Sequence, residues 1–209
     1  MTDIQQKVKE IKQSFRLMMD GATAQSMRQK GLDYKLNWGA TLPRLREMAE
    51  ELKKETSNLY DLALALWKED VRECKIMATM LMPPDEILPE VVDIWMEQTP
   101  TVEIAEQAAF NLYQHLPYAA DKAYGWLSSA DDLPQICGYH VLSRLFSRRQ
   151  EPNERGINEF VDQALSALQS SNPILQKAAM QSLLHFADMG LLYERLVRSA
   201  TRSIGMDIL

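Results

Sequence analysis

Apolar residues recur along this chain at three- and four-residue spacing almost from end to end, which is the period of an amphipathic helix. Ile4, Val8, Ile11, Phe15 and Met18 form the first stripe, and Gly21 is expected to stop that helix. A short helix is expected over Thr23 to Gln29, followed by a loop from Leu32 to Ala40 that carries Tyr34 and Trp38. Thr41 reads as an N-cap with Pro43 in the first turn, and Leu45, Met48, Ala49 and Leu52 make the core face. Ser57, Asp70 and Asp85 are the expected starts of the next three helices, with Pro83-Pro84 breaking the chain between the last two. Pro100-Thr101 opens a helix through Ala105, Ala108 and Leu112, and a short helix follows near Ala119 to Leu127. Asp131 or Asp132 then caps a helix carrying Leu133, Ile136, Val141 and Leu145. Two further stripes, Ile157 to Leu168 and Leu175 to Phe186, precede a final helix with Leu192, Leu196 and Val197.

The helices that open each pair start near Leu42, Val71, Val102 and Asp132, about 30 residues apart, which suits a helix-turn-helix unit. Such a pair cannot bury its stripe alone and must stack on neighbours. The expected fold is therefore all-α: a helical repeat solenoid of about six helix pairs, with a concave face. No linker or low-complexity tract interrupts residues 1–209, so a single domain is expected.

Composition agrees with helix. The 209 residues include 12 Met against only 8 Gly and 9 Pro. No apolar run approaches the roughly 20 residues of a membrane span, and the polar N-terminus does not read as a secretory signal. Cys74 and Cys137 lie inside helical stripes and read as reduced core thiols of a cytoplasmic protein.

Charge changes the picture more. The net charge is −6, but residues 83–132 hold ten acids and one cation, Lys122, and so carry −9. An acidic balance opposes non-specific DNA binding, which needs cations to displace counterions from phosphate. The acidic middle favours a basic protein partner over bare duplex DNA. Cations that could contact phosphate are Arg44, Arg46, Lys53, Arg72 and Lys75 early in the chain, then Arg148, Arg149 and Lys177. Solvated helix faces explain them equally well, because acids lie within i,i+4 reach.

The run from Gly39 to Met82 resembles the HEAT-like repeat DNA glycosylases of the DNA alkylation repair (AlkD-like) family. The likeness lies in Trp38-Gly39, in Leu42-Pro43-x-Leu45-Arg46-x-x-Ala49, and in Leu66-Trp67-x-x-x-x-Val71-Arg72-Glu73-x-Lys75-x-x-Ala78. The resemblance implies a HEAT-like α-α superhelix. It also implies excision of purines made cationic by N3 or N7 alkylation, with damaged duplex DNA held on a basic concave face and no cofactor or metal. A catalytic Asp and aromatic side chains would stabilise the positive sugar that develops as the glycosidic bond breaks.

The departures from the pattern fall on the chemistry. In Thr101-Val102-Glu103-Ile104-Ala105-Glu106, Val102 stands where the family has Trp, and Glu106 where it has the catalytic Asp. Leu133-Pro134-Gln135-Ile136 replaces paired arginines. In Lys177-Ala178-Ala179-Met180-Gln181-Ser182-Leu183-Leu184 the lysine is kept, but Gln181 and Leu184 replace Trp and Arg. A longer carboxylate at Glu106 is misplaced by about 1 Å, which costs on the order of 10²-fold in rate. Together these losses argue for a divergent, non-catalytic member that binds a macromolecule, protein or nucleic acid. An active glycosylase using Glu106 is the alternative.

A third reading is a small-ligand binder that uses the mid-chain aromatics Tyr113, Tyr118, Tyr124, Trp126 and Tyr139 together with Trp95. Aromatics at helical spacing are more often core. Cys137 and His140 are three residues apart, but a thiol–imidazole dyad or a metal site needs partners that three histidines scarcely supply.

Overall fold

A computed structural model describes residues 3–208. Among these residues it contains twelve α-helices, one 3₁₀ turn and no strand. The helices gather into two compact units, Met1–Leu112 and Tyr113–Leu209. The second begins with the 3₁₀ turn Tyr113–His115, so the break carries no Gly- or Ser-rich signature in the sequence.

The first unit comprises α1 (Asp3–Leu17), α2 (Gly21–Gln29), α3 (Leu42–Glu55), α4 (Leu59–Trp67), α5 (Arg72–Leu81), α6 (Pro89–Glu97) and α7 (Val102–Asn111). Helix α5 lies between α3, α4 and α7 and is buried along its whole length. Cys74, Ile76, Met77, Ala78 and Leu81 are the apolar part of that burial. Of these, Ile76, Met77 and Leu81 each contribute about 1.5–3 kcal/mol. On α4 and α6, Trp67 and Trp95 stack with ring centroids 4.2 Å apart and planes 4° from parallel.

Several helix starts differ from the sequence reading. Gly21 opens α2 rather than ending α1, because the Asp20 carboxylate accepts from the Thr23 amide at 3.0 Å and caps the new helix. Asn58, not Ser57, caps α4 by accepting from the Asp61 amide. Val71 rather than Asp70 is the N-cap of α5, and α6 begins at Pro89, leaving Asp85 in the preceding turn. Thr101 caps α7 as expected, accepting from the Ile104 amide.

The loop between α2 and α3 is tied to α5. The Arg72 amide donates to the Leu36 carbonyl at 3.0 Å, and Leu36 makes an isolated parallel bridge with Val71. Gly39 holds φ 76°, and a Cβ there would lie 2.2 Å from the Asp20 carbonyl oxygen. The chain can therefore pass the start of α2 only with glycine at this position.

The second unit comprises α8 (Ala119–Leu127), α9 (Asp132–Ser147), α10 (Glu154–Leu168), α11 (Pro173–Ala187) and α12 (Leu191–Ser203). Helix α9 packs on α8 and α11. Phe146, Phe160, Phe186 and Tyr193 form a run of edge-to-face and tilted contacts at 4.9–5.1 Å through its core.

Candidate functional site

Helix α7 carries both carboxylates of the stretch singled out in the sequence, and they have different fates. Glu106 is exposed. Phe110, one turn further along the same face, is also exposed, and the Arg46 guanidinium of α3 lies 5.4 Å from its ring centroid.

Glu103 points the other way, into an ionic network. It accepts two hydrogen bonds from Arg72, Nε at 2.8 Å and Nη2 at 2.6 Å, and a third from the Tyr34 hydroxyl at 2.5 Å. Arg72 is 1% exposed and also donates through Nη1 to the Ala40 carbonyl at 2.9 Å and to Glu73 at 3.3 Å. Glu73 in turn accepts from the Ala40 and Trp38 amides at 3.2 and 3.3 Å. The network therefore joins α5, α7 and the loop that carries Tyr34 and Trp38.

Electrostatics follow the geometry. Burial alone would raise the Glu103 carboxyl, but the hydrogen bonds and charge of Arg72 outweigh it and hold the group below its ordinary range. Burial would lower Arg72, yet the two glutamates raise it further. Burial and then the Glu103 hydrogen bond push the Tyr34 phenol far above its ordinary value. All three groups stay in one protonation state near neutrality. The network can hold parts in place but has no proton to give, and both Glu103 oxygens are already engaged by Arg72 and Tyr34.

The cations expected at phosphate divide into two sets. Arg44, Arg46 and Lys53 in the first unit and Arg148, Arg149 and Lys177 in the second are exposed. Lys53 pairs with Glu50 at 2.8 Å. Arg148 donates to the Gln114 side chain, and Arg149, at φ 60°, donates to the Met189 carbonyl at 3.1 Å. Arg72 and Lys75 do not belong with them. Arg72 is spent in the network. Lys75 is buried, with its ammonium 2.6 Å from the Trp67 carbonyl and 4.5 Å from the Trp67 ring centroid. Both were read as surface cations because their helix looked amphipathic, whereas it is enclosed on all sides.

The aromatic reading is likewise corrected. Trp95, Tyr113, Trp126 and Tyr139 are all buried. Trp95 stacks on Trp67, Tyr113 lies 5.1 Å from Trp126, and Tyr139 meets Phe160 edge-on. They are core. The second unit does contain a cleft of about 620 Å³, lined by His115, Tyr124, Arg148, Arg155 and Glu159 among others; of the six mid-chain aromatics singled out in the sequence, Tyr124 alone borders it. Burial raises the Cys137 thiol well above its ordinary range, so it forms no thiolate beside His140. Among the described residues no three His, Cys, Asp or Glu side chains gather as a metal site.

The sequence reading missed Tyr34, Glu73 and Glu103 as one cluster. They come from three separate segments, and only the adjacent Arg72-Glu73 pair within a buried helix could have signalled it.

Comparison with curated proteins gives no match. Among solved structures, one matches with a TM-score of 0.82 at 15% identity, covering 95% of this chain and 83% of that one. It is described as a new family of proteins related to the HEAT-like repeat DNA glycosylases with affinity for branched DNA structures. At that identity the match shows a shared HEAT-like fold. The family model described as DNA alkylation repair enzyme matches residues 11–189, and the chain belongs to that family.

Proposed function

We propose that this protein is a DNA-binding member of the family that does not excise bases. The observation that carries the reading is the state of the two α7 carboxylates. An oxocarbenium-like transition state needs a charged carboxylate close by in a site shielded from water. Glu103 is charged, but both its oxygens are taken up by hydrogen bonds from Arg72 and Tyr34. Glu106 is exposed, and water screens its charge. Arg46 above Phe110 places a cation on the same helix face, which disfavours a second positive charge there.

DNA is the favoured partner for two reasons. The family is a DNA repair family, and the structural relative is described as having affinity for branched DNA. Six of the eight cations read from the sequence are exposed, as side chains that contact phosphate must be. Branched DNA is favoured over linear duplex, because a chain of net charge −6 gains little from non-specific contact.

Fluorescence anisotropy with a four-way junction and a linear duplex of equal length, across a salt series, tests the reading. The junction is expected to bind more tightly. The slope of log K against log salt is expected to fall by about 1 for each phosphate-contacting cation removed from Arg148 and Arg149. Equal affinity for junction and duplex, or a slope unchanged by both substitutions, contradicts it.

A further inference from the structure

Helix α12 lies beyond the residues matched by the family model and presents two parallel stripes. Leu192 and Leu196 stand one turn apart and are exposed, as is the adjacent Leu191; Leu191 and Leu192 are 72% and 63% exposed. Beside them run Arg195, Arg198 and Arg202 at three- and four-residue spacing. Arg195 and Arg202 are exposed, and Arg198 is shared with Glu194 at 2.9 Å.

Helix α6 has the opposite arrangement. Leu88, at its N-cap, and Ile94 are 59% and 48% exposed, with Val91 half-buried between them at three-residue spacing. Beside that aliphatic stripe run Glu90, Asp93 and Glu97, all exposed. At 1.5 Å per residue, α6 is about 14 Å long and α12 about 20 Å, so the acidic and basic rows have comparable reach.

We infer that α12 of one copy of this chain docks on α6 of a second copy, leucines against Leu88 and Ile94 and arginines against Glu90, Asp93 and Glu97. The two surfaces are different patches, so the contact is heterologous, and it leaves α6 of the first copy and α12 of the second for further copies. Two short helix faces bury less than a standard interface, so association is weak, concentration-dependent and weakened by salt.

Analytical ultracentrifugation of the full chain over a concentration series tests this, with circular dichroism confirming that each variant folds. Wild type is expected to self-associate, and Leu192→Lys to remain monomeric. The pair Arg195→Glu/Arg202→Glu is expected to associate about tenfold more weakly, and so is Glu90→Lys/Asp93→Lys. Mixing the two charge-reversed variants restores association, because reversed α12 then meets reversed α6. A wild type that is monomeric throughout overturns the inference. So does association untouched by the α6 variant, or two weakened variants that fail to complement when mixed.

Discussion

Removing Arg72 tests whether the ionic network holds the first unit together. Arg72 is 1% exposed and makes four hydrogen bonds: two to Glu103, one to Glu73 and one to the Ala40 carbonyl. Arg72→Met keeps most of the stem volume but leaves Glu73 fully buried and Glu103, at 14% side-chain exposure, without their cation. Breaking one partner of a buried pair costs about 3–5 kcal/mol. The residual water access at Glu103 places the expected loss near the lower end, about 3 kcal/mol. Replacing both partners, Arg72→Met with Glu103→Met, removes the orphaned charge at Glu103, while Glu73 keeps its hydrogen bonds from the Trp38 and Ala40 amides. The double variant is then expected to lose about 1–3 kcal/mol less than the sum of the singles. Urea denaturation followed by tryptophan fluorescence reads this, because Trp38, Trp67 and Trp95 lie in the first unit. The Glu103 carboxyl is held below its ordinary value of 4.5 in the folded chain. Its contribution is therefore present above pH 4.5 and is lost as pH falls through the folded value. The stability advantage of wild type over Glu103→Gln shrinks over that window. A loss below about 1 kcal/mol for Arg72→Met, or strict additivity in the double variant, refutes the reasoning.

Three other outcomes follow from the packing. Gly39→Ala places a methyl 2.2 Å from the Asp20 carbonyl oxygen at φ 76°, so a loss of about 3 kcal/mol is expected by thermal denaturation. Asn153→Ala removes the side-chain cap that accepts from the Gly156 amide at 2.8 Å, at a cost of about 1 kcal/mol in the same assay. Burial pushes the Cys74 thiol up to about 12 and raises Cys137 further, so neither is expected to react with a disulfide reagent at pH 8 until denaturant is added.

The helical period made most of the fold legible, since stripes such as Val8, Ile11 and Phe15 fall on the buried face where the spacing put them. Helix starts were less legible. Asp20, Ser57 and Asp70 are all plausible caps, and only the first closes a side-chain hydrogen bond to the amide three residues on. Helix α5 was misread for a physical reason. Arg72, Glu73 and Lys75 make a polar flank on any helical wheel, but their neighbours are α3, α4 and α7 rather than water. A buried cation is marked by its partners, and those of Arg72 lie 31 and 32 residues away at Glu103 and Ala40. The aromatics were misread in the opposite direction, because side chains such as Tyr113 and Trp126 find their partners within the core of their own unit. At Glu106 the family resemblance implied a Glu in place of Asp, while its exposure and the Arg46 guanidinium over nearby Phe110 came only from the fold.

Release of 7-methylguanine and 3-methyladenine from alkylated duplex DNA, with wild type and Glu106→Gln side by side, addresses the central claim most directly. At enzyme concentrations that saturate binding, neither protein is expected to release base above the no-enzyme rate. Release by wild type that collapses in Glu106→Gln would contradict the account and make the exposed carboxylate of α7 catalytic.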